Sequence, residues 1–235
     1  MEKMRLDKFL SNAKVLSRKD TAIAVKKRQI TVNDQIATKK DQIISENDIV
    51  KYLGEIVSYE QFIYIMFNKP AGYVSSTDDP RDKTVLSLLP EQYQKYDLFP
   101  CGRLDKDTVG LVILTNNGVA SHKLLSPKNH VKKTYYFELA EDIDNEKLIK
   151  IENGIELADG YITKPCKIIM LSTNTGEITL TEGKYHEIKR MFGASSNKVT
   201  YLKRISFDKI ILDANLKEGE FRLLTPEEKQ VFEQI

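Results

Sequence analysis

The chain has 235 residues, enough for one large domain or for a small domain followed by a medium one, and 41% of them are apolar, which supports a core of ordinary size. The net charge of only +2 predicts by itself no polyanionic partner. The two cysteines, Cys101 and Cys166, show no CxxC spacing, and the three histidines lie at no ligand spacing. Neither a disulfide framework nor a metal site is therefore expected.

The sequence contains no long apolar segment. The N-terminus is charged, and the longest apolar run, Val109 to Leu114, is far shorter than the roughly 20 residues that span a bilayer. We therefore expect a soluble protein of the reducing cytoplasm.

The charge is distributed unevenly along the chain. Residues 1–40 contain 11 Lys and Arg against four Asp and Glu, a balance of +7, whereas the remainder carries −5. A basic N-terminal module is therefore predicted ahead of a slightly acidic body.

The basic module begins with two predicted helices and a hairpin. Ser17 is placed to cap the second helix, with Asp20 at its third position. Apolar residues at helical spacing are Leu6, Phe9, Leu10 and Ala13 in the first helix and Ala22 and Val25 in the second. From Ile30 the period changes to two, and the turn signal Asn33-Asp34 predicts a hairpin.

Six cations cluster on or beside the second helix. They are Lys14, Arg18, Lys19, Lys26, Lys27 and Arg28. Such a cluster is either a solvated helix face or a surface that contacts phosphates, and the few interleaved acids favour the second interpretation.

The segment from Arg5 to Asp34 resembles the S4 domain, a small RNA-binding module of the α-L type found in ribosomal proteins and RNA-modifying enzymes. The matching points are Arg5-Leu6-Asp7, Ser17-Arg18, Ala22 and Val32-Asn33. The resemblance implies that RNA is bound by Arg5, Lys14, Arg18, Lys19, Lys26, Lys27 and Arg28. Because Lys14, Arg28 and Asn47 stand where the S4 pattern usually has glycine, strained turns are expected at these positions.

The rest of the chain predicts an α+β domain at 61–235 after an S4-like domain at 1–60, with a linker at 54–61. Predicted strands are Phe62 to Phe67, Leu111 to Thr115, Thr134 to Leu139, Lys167 to Leu171, Glu177 to Thr181 and Ile205 to Leu212. Predicted helices are Thr84 to Leu89, Val119 to Leu125, Glu146 to Asn153, Tyr185 to Ser195 and Pro226 to Phe232. Strands and helices do not alternate as in a βαβ series, so a largely antiparallel mixed sheet with flanking helices is expected.

Residues 101–118, CGRLDKDTVGLVILTNNG, place a cluster of charges directly before a buried strand. In extended backbone Arg103 and Asp105 point to one face and Leu104 to the other, so Leu104 can anchor the segment while a base and an acid share an open face. The alternative is that Asp105 caps a turn and Arg103 neutralises it. Tyr135 and the pair Lys189-Arg190, from two later segments, can complete a polar cleft.

The segment GRLDKDTVGLVILTNNG is similar to the GRLD signature of the pseudouridine synthases. NKPAGYVSS, KTYYFEL, GKYHEIKRMF and LKEGEFRLLT resemble the branch of that family that modifies small-subunit ribosomal RNA and carries an S4 domain in front. The motifs cover nearly the whole chain in the expected order. The resemblance implies that Asp105 is the catalytic aspartate, that Tyr135 packs on the uracil, and that Lys189 pairs with the aspartate.

The same resemblance implies substrate-binding roles for Arg103, Leu104 and Arg190. Arg103 helps to displace and replace the target base, for which a guanidinium is suited because it stacks on bases while it binds phosphate. Arg190 remains the alternative to Lys189 as the partner of Asp105.

The implied reaction breaks the bond between C1′ and N1 of uridine, turns the uracil and joins C1′ to C5. It needs no redox step and no phosphate energy, so no cofactor is implied. Positive charge develops at the sugar, and a carboxylate beside C1′ can stabilise that charge or bond to it. A cation within about 4 Å would favour the ionised carboxylate. The proton on C5 leaves to the same carboxylate or to water.

The implied partner is ribosomal RNA, or an assembling small-subunit ribonucleoprotein particle, on which the chain acts as a monomer. Two alternatives are a large-subunit ribosomal RNA pseudouridine synthase and a non-catalytic S4-containing assembly factor, for which loss of Asp105 would be the expected mark. A glycosidase that uses Asp105 and Asp107 as acid and nucleophile would need a raised pKa at one of them, which nothing in the sequence indicates.

Overall fold

The structure, a computed structural model, describes residues 3–45, 47–58, 60 and 62–233. The chain forms two compact units, Met1–Phe62 and Ile63–Ile235. The linker expected at 54–61 includes residues 59 and 61, which lie outside the described residues. Its first part differs from the expectation, because Glu55–Ile56 is a strand that pairs with Val50–Tyr52.

Within its described residues, the smaller unit contains two helices and two small antiparallel sheets. Its elements are β1 Met4–Arg5, α1 Leu6–Asn12, α2 Arg18–Lys26, β2 Ile30–Val32, β3 Gln35–Ile36, β4 Ile43–Ile44, β5 Val50–Tyr52 and β6 Glu55–Ile56. One sheet has the strand order β3-β2-β5-β6, and the other pairs β1 with β4. Leu6, Leu10 and Ile30 are fully buried in the core of this unit. The two helices and the hairpin β2–β3 confirm the local predictions.

Both helices of the smaller unit end at a left-handed residue that is not glycine. After α1, Lys14 has a φ of +57°, and the N–H of Val15 donates to the Leu10 carbonyl at 3.1 Å. After α2, Arg28 has the same φ of +57° and the same pattern of closing hydrogen bonds. These are Schellman caps, in which glycine is favoured because a Cβ costs about 1 kcal/mol in this conformation. The strained turns expected at Lys14 and Arg28 are therefore present.

The larger unit is built on one mixed sheet. Its strands are β7 Tyr64–Lys69, β8 Phe99–Cys101, β9 Val109–Thr115, β10 Lys133–Leu139, β11 Lys167–Met170, β12 Thr175–Leu180, β13 Val199–Phe207, β14 Ile210–Ile211 and β15 Phe221–Leu223. Its helices are α3 Gly118–Leu125, α4 Asn145–Glu152, α5 Glu187–Ala194 and α6 Pro226–Glu233, with 3-10 turns at Val85–Leu88, Glu91–Tyr96 and Pro127–Asn129.

The strand order is β11-β12-β10-β13-β9-β7-β15, with β8 paired to β9 and β14 paired to β13. The pair β9–β13 is parallel and the other strand pairs of this sheet are antiparallel. This confirms the α+β class and the largely antiparallel mixed sheet. Among the described residues, no helix combines the length and the apolar composition needed to cross a bilayer.

Several elements differ from the sequence prediction in extent. The strand predicted from Ile205 begins earlier, at Val199, and is interrupted at Asp208, whose φ of +53° turns the chain into β14. The helix predicted from Thr84 to Leu89 is only a short 3-10 turn. Strands β8 and β15 have three residues each and pair along longer neighbours, so no local periodicity marks them.

The sheet carries one apolar core on each face. Side chains alternate along β7, so that Ile65 and Phe67 join one core while Tyr64 and Met66 join the other. Every residue of β7 and β9 is buried. The apolar run that follows the charged segment is therefore at the centre of the sheet.

The parallel pairing of β9 with β13 requires a glycine. Gly110 lies opposite Arg204 with a φ of +99°, and a Cβ at this position would lie 2.3 Å from the Arg204 carbonyl oxygen. No side chain fits in this space, so glycine is needed for β9 to approach β13. The charged loop before β9 is thereby attached to a strand whose position is fixed on both sides.

Candidate active site

A buried lysine holds the charged loop, residues 102–108, that connects β8 to β9. The Lys69 side chain is fully buried at the end of β7. Its Nζ donates to three backbone carbonyl oxygens, those of Pro70 at 3.0 Å, Lys106 at 3.2 Å and Thr108 at 2.7 Å. Burial lowers the pKa of Lys69 to about 8, although the two aspartates of the loop act in the opposite direction. The loop is thus folded around an ammonium group.

Leu104 and its two neighbours have the orientation that the alternating pattern predicts. Leu104 is 7% exposed, belongs to the core, and donates its N–H to Ser75 Oγ at 3.2 Å. Arg103 is exposed, and it lines the same pocket as Asp105. Leu104 therefore anchors the loop in the core, and Arg103 and Asp105 lie on its open side.

Asp105 lies between two nitrogen-bearing side chains. Lys189 Nζ is 3.3 Å from its Oδ2, and His186 Nε2 is 3.7 Å from its Oδ1. Lys189 Nζ also lies 2.5 Å from Asp107 Oδ1. The side chain of Asp107 is 74% exposed, whereas that of Asp105 is only 26% exposed and lines the pocket. Asp105 is therefore the carboxylate available to a molecule bound in the pocket.

Helix α5 sends Lys189 and Arg190 in different directions, because adjacent helical side chains point about 100° apart. Arg190 Nη2 lies 2.6 Å from Asp159 Oδ2. The helix begins at Glu187, two residues later than predicted, and His186 before it has a left-handed φ of +49°. Of the two candidate partners for Asp105, the structure brings Lys189 to it.

Tyr135, on β10, forms part of the wall of a small pocket in front of Asp105. The pocket has a volume of about 70 Å³, and its apolar walls are Leu104, Tyr135, Leu180, Ile188 and Leu202. Tyr135 is only 8% exposed. Most of its side chain therefore packs in the core, and a small part of its surface faces the pocket.

A pair of carboxyl groups also belongs to this region. Glu187, which lines the pocket, is 4% exposed; its Oε2 accepts the N–H of Lys184 at 2.8 Å, and its Oε1 is buried without a donor among the described residues. Burial and the neighbouring Glu182 raise the pKa of Glu187 to about 7. Despite its burial, Glu182 has a lowered pKa because hydrogen bonds, among them one from the Tyr161 hydroxyl at 2.7 Å, favour its ionised form. Of the two neighbouring carboxyls, Glu187 is therefore the one that holds a proton more readily.

Lys69, His186 and Glu187 are not identifiable as site residues from the sequence patterns above. The sequence does contain a signal for Lys69, since this charged residue lies at the end of a strand whose first four residues are apolar or aromatic. His186 and Glu187 carry none, because their contacts depend on the turn at His186 and on a neighbour from another segment.

The arrangement places one partly exposed carboxylate beside a lysine and an aromatic wall. Such a carboxylate can stabilise or attack a carbon that becomes positively charged, as the anomeric carbon of a sugar does. Burial acts to raise the pKa of Asp107, but the hydrogen bond and the charge of Lys189 outweigh it, so the pKa of Asp107 is lowered. Asp107 thus lacks the raised pKa that the acid of a glycosidase needs. No cluster of metal-ligating side chains occurs in the described part of the chain.

Two family models match the chain. The model described as RNA pseudouridylate synthase matches residues 63–194, and the S4 domain model matches residues 4–50. The first match contains the loop with Asp105, strand β10 and helix α5, which contribute most of the residues that line the pocket.

Similar proteins match along nearly the whole chain. An uncharacterised RNA pseudouridine synthase of Bacillus subtilis is 42% identical over 230 residues, which are 96% of each chain. Ribosomal small subunit pseudouridine synthase A of Salmonella typhimurium is 37% identical over 227 residues, 96% of this chain and 98% of that protein. A crystal structure described as a pseudouridylate synthase is 36% identical, with a TM-score of 0.70, and the match covers 97% of this chain and 99% of the other.

Glu187→Gln should change how stability depends on pH. The pKa of Glu187 is about 7 in the folded chain against an ordinary 4.5, so its contribution to stability is full below pH 4.5 and is lost as the pH rises through 7. The difference in unfolding free energy between the two proteins should therefore shift in favour of the variant between pH 4.5 and pH 8. Urea unfolding followed by circular dichroism at both pH values measures this shift.

Glu146→Gln, at an exposed position on α4, is the matched control and should show no such shift. The same difference at both pH values for Glu187→Gln would contradict a raised pKa of Glu187 in the folded protein.

Proposed function

The chain belongs to the RNA pseudouridylate synthase family, and from this premise we propose that it converts a specific uridine of small-subunit ribosomal RNA to pseudouridine. It is an isomerase that acts on RNA. The observation that carries the proposed site is the Asp105 carboxylate, with Lys189 at 3.3 Å, at a pocket whose wall includes Tyr135. The choice of the small subunit is supported by the relatives of that name, which are 37% identical over nearly their whole length.

Asp105 acts on the sugar of the target nucleotide. Its carboxylate stabilises or attacks C1′ while the bond from C1′ to N1 breaks and its electron pair passes to the uracil. The uracil turns and C5 bonds to C1′; the proton lost from C5 is balanced by one gained at N1. Every heavy atom of the uridine is retained, so the reaction consumes no co-reactant. Lys189 stabilises the negative charge of Asp105 throughout.

Tyr135 and Leu104 hold the target base, and Arg103 occupies the place that the base leaves. Tyr135 and Leu104 line the pocket, and Arg103 lies exposed beside them. A guanidinium can stack on bases and bind a phosphate, which suits Arg103 to an RNA from which one base has been extruded. Arg190 forms an ion pair with Asp159 through Nη2, and the other donors of its partly exposed guanidinium are proposed to contact RNA.

The N-terminal unit binds RNA through its cations. Six exposed members of this set form no ion pair among the described residues: Lys14, Arg18, Lys19, Lys26, Lys27 and Arg28. Arg5 differs from them, because its guanidinium makes hydrogen bonds of 3.0 and 2.8 Å to the buried carboxylate of Asp7. Contacts of lysine and arginine with phosphates position an RNA and read little of its sequence.

The assembly and the compartment follow from the same proposal. We propose that the protein acts as a monomer, since a single copy of the chain supplies Asp105, Tyr135 and Lys189 to the pocket. We propose the cytoplasm as its compartment, because the proposed substrate is ribosomal RNA.

Lys14→Gly and Arg28→Gly should separate RNA binding from stability. Each change removes a left-handed Cβ and should raise the local unfolding free energy by up to about 1 kcal/mol. Each also removes a proposed phosphate contact, which should weaken binding and reduce the salt slope of the affinity by about 1. Hydrogen exchange of the α1 and α2 amides and binding of ribosomal RNA at several salt concentrations measure the two effects.

Lys27→Gly is the control for this pair, because Lys27 has a right-handed φ of −81°. It removes a charge without relieving strain and should lower stability. Unchanged salt slopes in all three variants would mean that the cations are only a solvated surface.

Asp105→Asn should abolish pseudouridine formation and leave RNA affinity and unfolding free energy nearly unchanged, because it removes charge but little volume. Pseudouridine is mapped in small-subunit and in large-subunit ribosomal RNA, free or in subunits, after incubation with the purified protein. Asp107→Asn, at the exposed carboxylate, is the matched control and should retain activity. Turnover by Asp105→Asn would refute the role of this carboxylate, and product formed only in large-subunit RNA would refute the proposed substrate.

Lys189→Met should lower kcat by roughly 100-fold with little change in RNA affinity, because it removes the positive charge beside Asp105. Arg190→Met should instead act mainly on KM. Single-turnover rates and RNA binding constants separate the two effects, and Lys189→Arg should recover part of the rate. A larger loss of kcat in Arg190→Met than in Lys189→Met would reverse the assignment.

A further inference from the structure

A second, larger cavity adjoins the pocket in front of Asp105. Its volume is about 580 Å³, and Arg103, Asp105 and Tyr135 line both spaces. This volume lies within the range of sites that bind small ligands. The steps proposed for the target uridine take place in the smaller pocket and give the larger cavity no role.

Two cations lie in the wall of the cavity, the half-buried Lys133 on β10 and the fully buried Arg204 on β13. Arg204 is 1% exposed; its Nε donates to the Leu111 carbonyl at 2.7 Å, but its Nη2 is buried with no partner among the described residues. Lys133 Nζ donates to the Val131 carbonyl at 3.1 Å. A buried guanidinium nitrogen without an acceptor is costly, so a bound acceptor at this place would be favourable.

Besides these carbonyl oxygens, both cations lie near an aromatic ring. Lys133 Nζ lies 5.8 Å and Arg204 Cζ 5.2 Å from the centroid of the Phe207 ring. Within the described part of the chain, neither forms an ion pair with a carboxylate. The pKa of Lys133 is lowered, mainly by burial and to a smaller extent by the charge of Arg204. This is expected for an ammonium that lacks a close counter-ion.

Further cations surround the same cavity. Arg103, Lys164 and Lys184 also line it, against the carboxylates of Asp105 and Glu182. Asp105 is already engaged by Lys189, and Glu182 accepts the Tyr161 hydroxyl at 2.7 Å. The cavity is therefore electropositive and continuous with the reaction site.

We propose that this cavity binds a second nucleotide of the RNA, adjacent to the target uridine, with its phosphate at Lys133 and Arg204. The inference rests on the proposed function and adds a substrate subsite to it. A phosphate oxygen would supply the acceptor that the Arg204 nitrogen lacks, and its charge would offset both cations. The RNA chain would pass between the two spaces along Arg103, which lines both.

Lys133→Met tests the subsite by steady-state kinetics on ribosomal RNA. Loss of one charged phosphate contact should raise KM about 10-fold, leave kcat within about twofold, and reduce the salt slope of binding by about 1. Lys133→Arg keeps the charge and should stay close to the wild type. Lys203→Met is the matched control, because Lys203 lies beside Arg204 on β13, points to the opposite face and lines neither space.

A fall in kcat with unchanged KM would overturn the subsite, and so would an unchanged salt slope. Equal effects of Lys133→Met and Lys203→Met would also overturn it, because the loss would then reflect net charge alone.

Orthophosphate provides a test that needs no catalytic activity. At constant ionic strength, exchanging chloride for phosphate should raise the Tm of the wild type but not that of Lys133→Met. Orthophosphate should also compete with ribosomal RNA for the wild-type protein. No effect of phosphate on Tm would mean that the cavity holds water only.

Stabilisation by phosphate without competition against RNA would mean a free-anion site and would overturn the nucleotide subsite. Because both measurements use wild-type protein in binding experiments, they remain decisive if Lys133→Met does not fold. The Tm and competition measurements also do not depend on the proposed function. If the proposed function is wrong, no pseudouridine forms, and this outcome is measured separately.

Discussion

The candidate site depends on one buried positive charge, the ammonium of Lys69. Removing an ammonium from water costs several kcal/mol unless its donors are satisfied, and the carbonyl oxygens of Pro70, Lys106 and Thr108 satisfy them here. The carbonyls of Lys106 and Thr108 point at this ammonium and so fix the path of the loop between β8 and β9 at two positions. That path, together with the burial of Leu104, presents Asp105 at the surface of the sheet opposite α5.

The order of the central strands then brings the other groups to this loop. β13 lies between β9 and β10, so the strand that follows the loop is separated from Tyr135 by a single strand. The parallel contact of β9 with β13 exists only because Gly110 lacks a Cβ that would lie 2.3 Å from a carbonyl oxygen. The glycine that ends the sequence GRLDKDTVG is therefore a packing requirement of the sheet and, through the sheet, a requirement of the site.

The cations of the chain differ in exposure and in their partners, which the net charge of the chain does not show. Exposed lysines and arginines of the smaller unit remain in water, where they can exchange counter-ions for RNA phosphates at little cost. Lys189 is shared by two aspartates, whereas the half-buried Lys133 and the fully buried Arg204 lie near the Phe207 ring. Lys14 and Arg28 occupy left-handed positions where glycine would be more stable, which is the kind of cost that proteins bear at functional positions.

Local patterns were sufficient for much of the architecture. The predicted cap of α2 is present, with Ser17 Oγ accepting the Asp20 N–H at 3.1 Å, because a cap and the residues it serves lie within one turn. The apolar run in β9 and the alternation around Leu104 followed from the period of a strand, and the motifs identified the family. The boundaries of β8, β15 and α5 did not follow, because partner strands and the turn at His186 set them.

The sequence by itself determined which residue types are available for the chemistry: an acid flanked by a base, an aromatic residue and two adjacent cations. Only the tertiary structure decided that Lys189, and not Arg190, lies beside Asp105, because this choice depends on where α5 begins. It also decided that Lys69 supports the loop and that Glu187 lies against Glu182. Periodicity and capping act over a few residues and can be read locally, whereas these contacts join segments brought together only by the packing of the sheet and its helices.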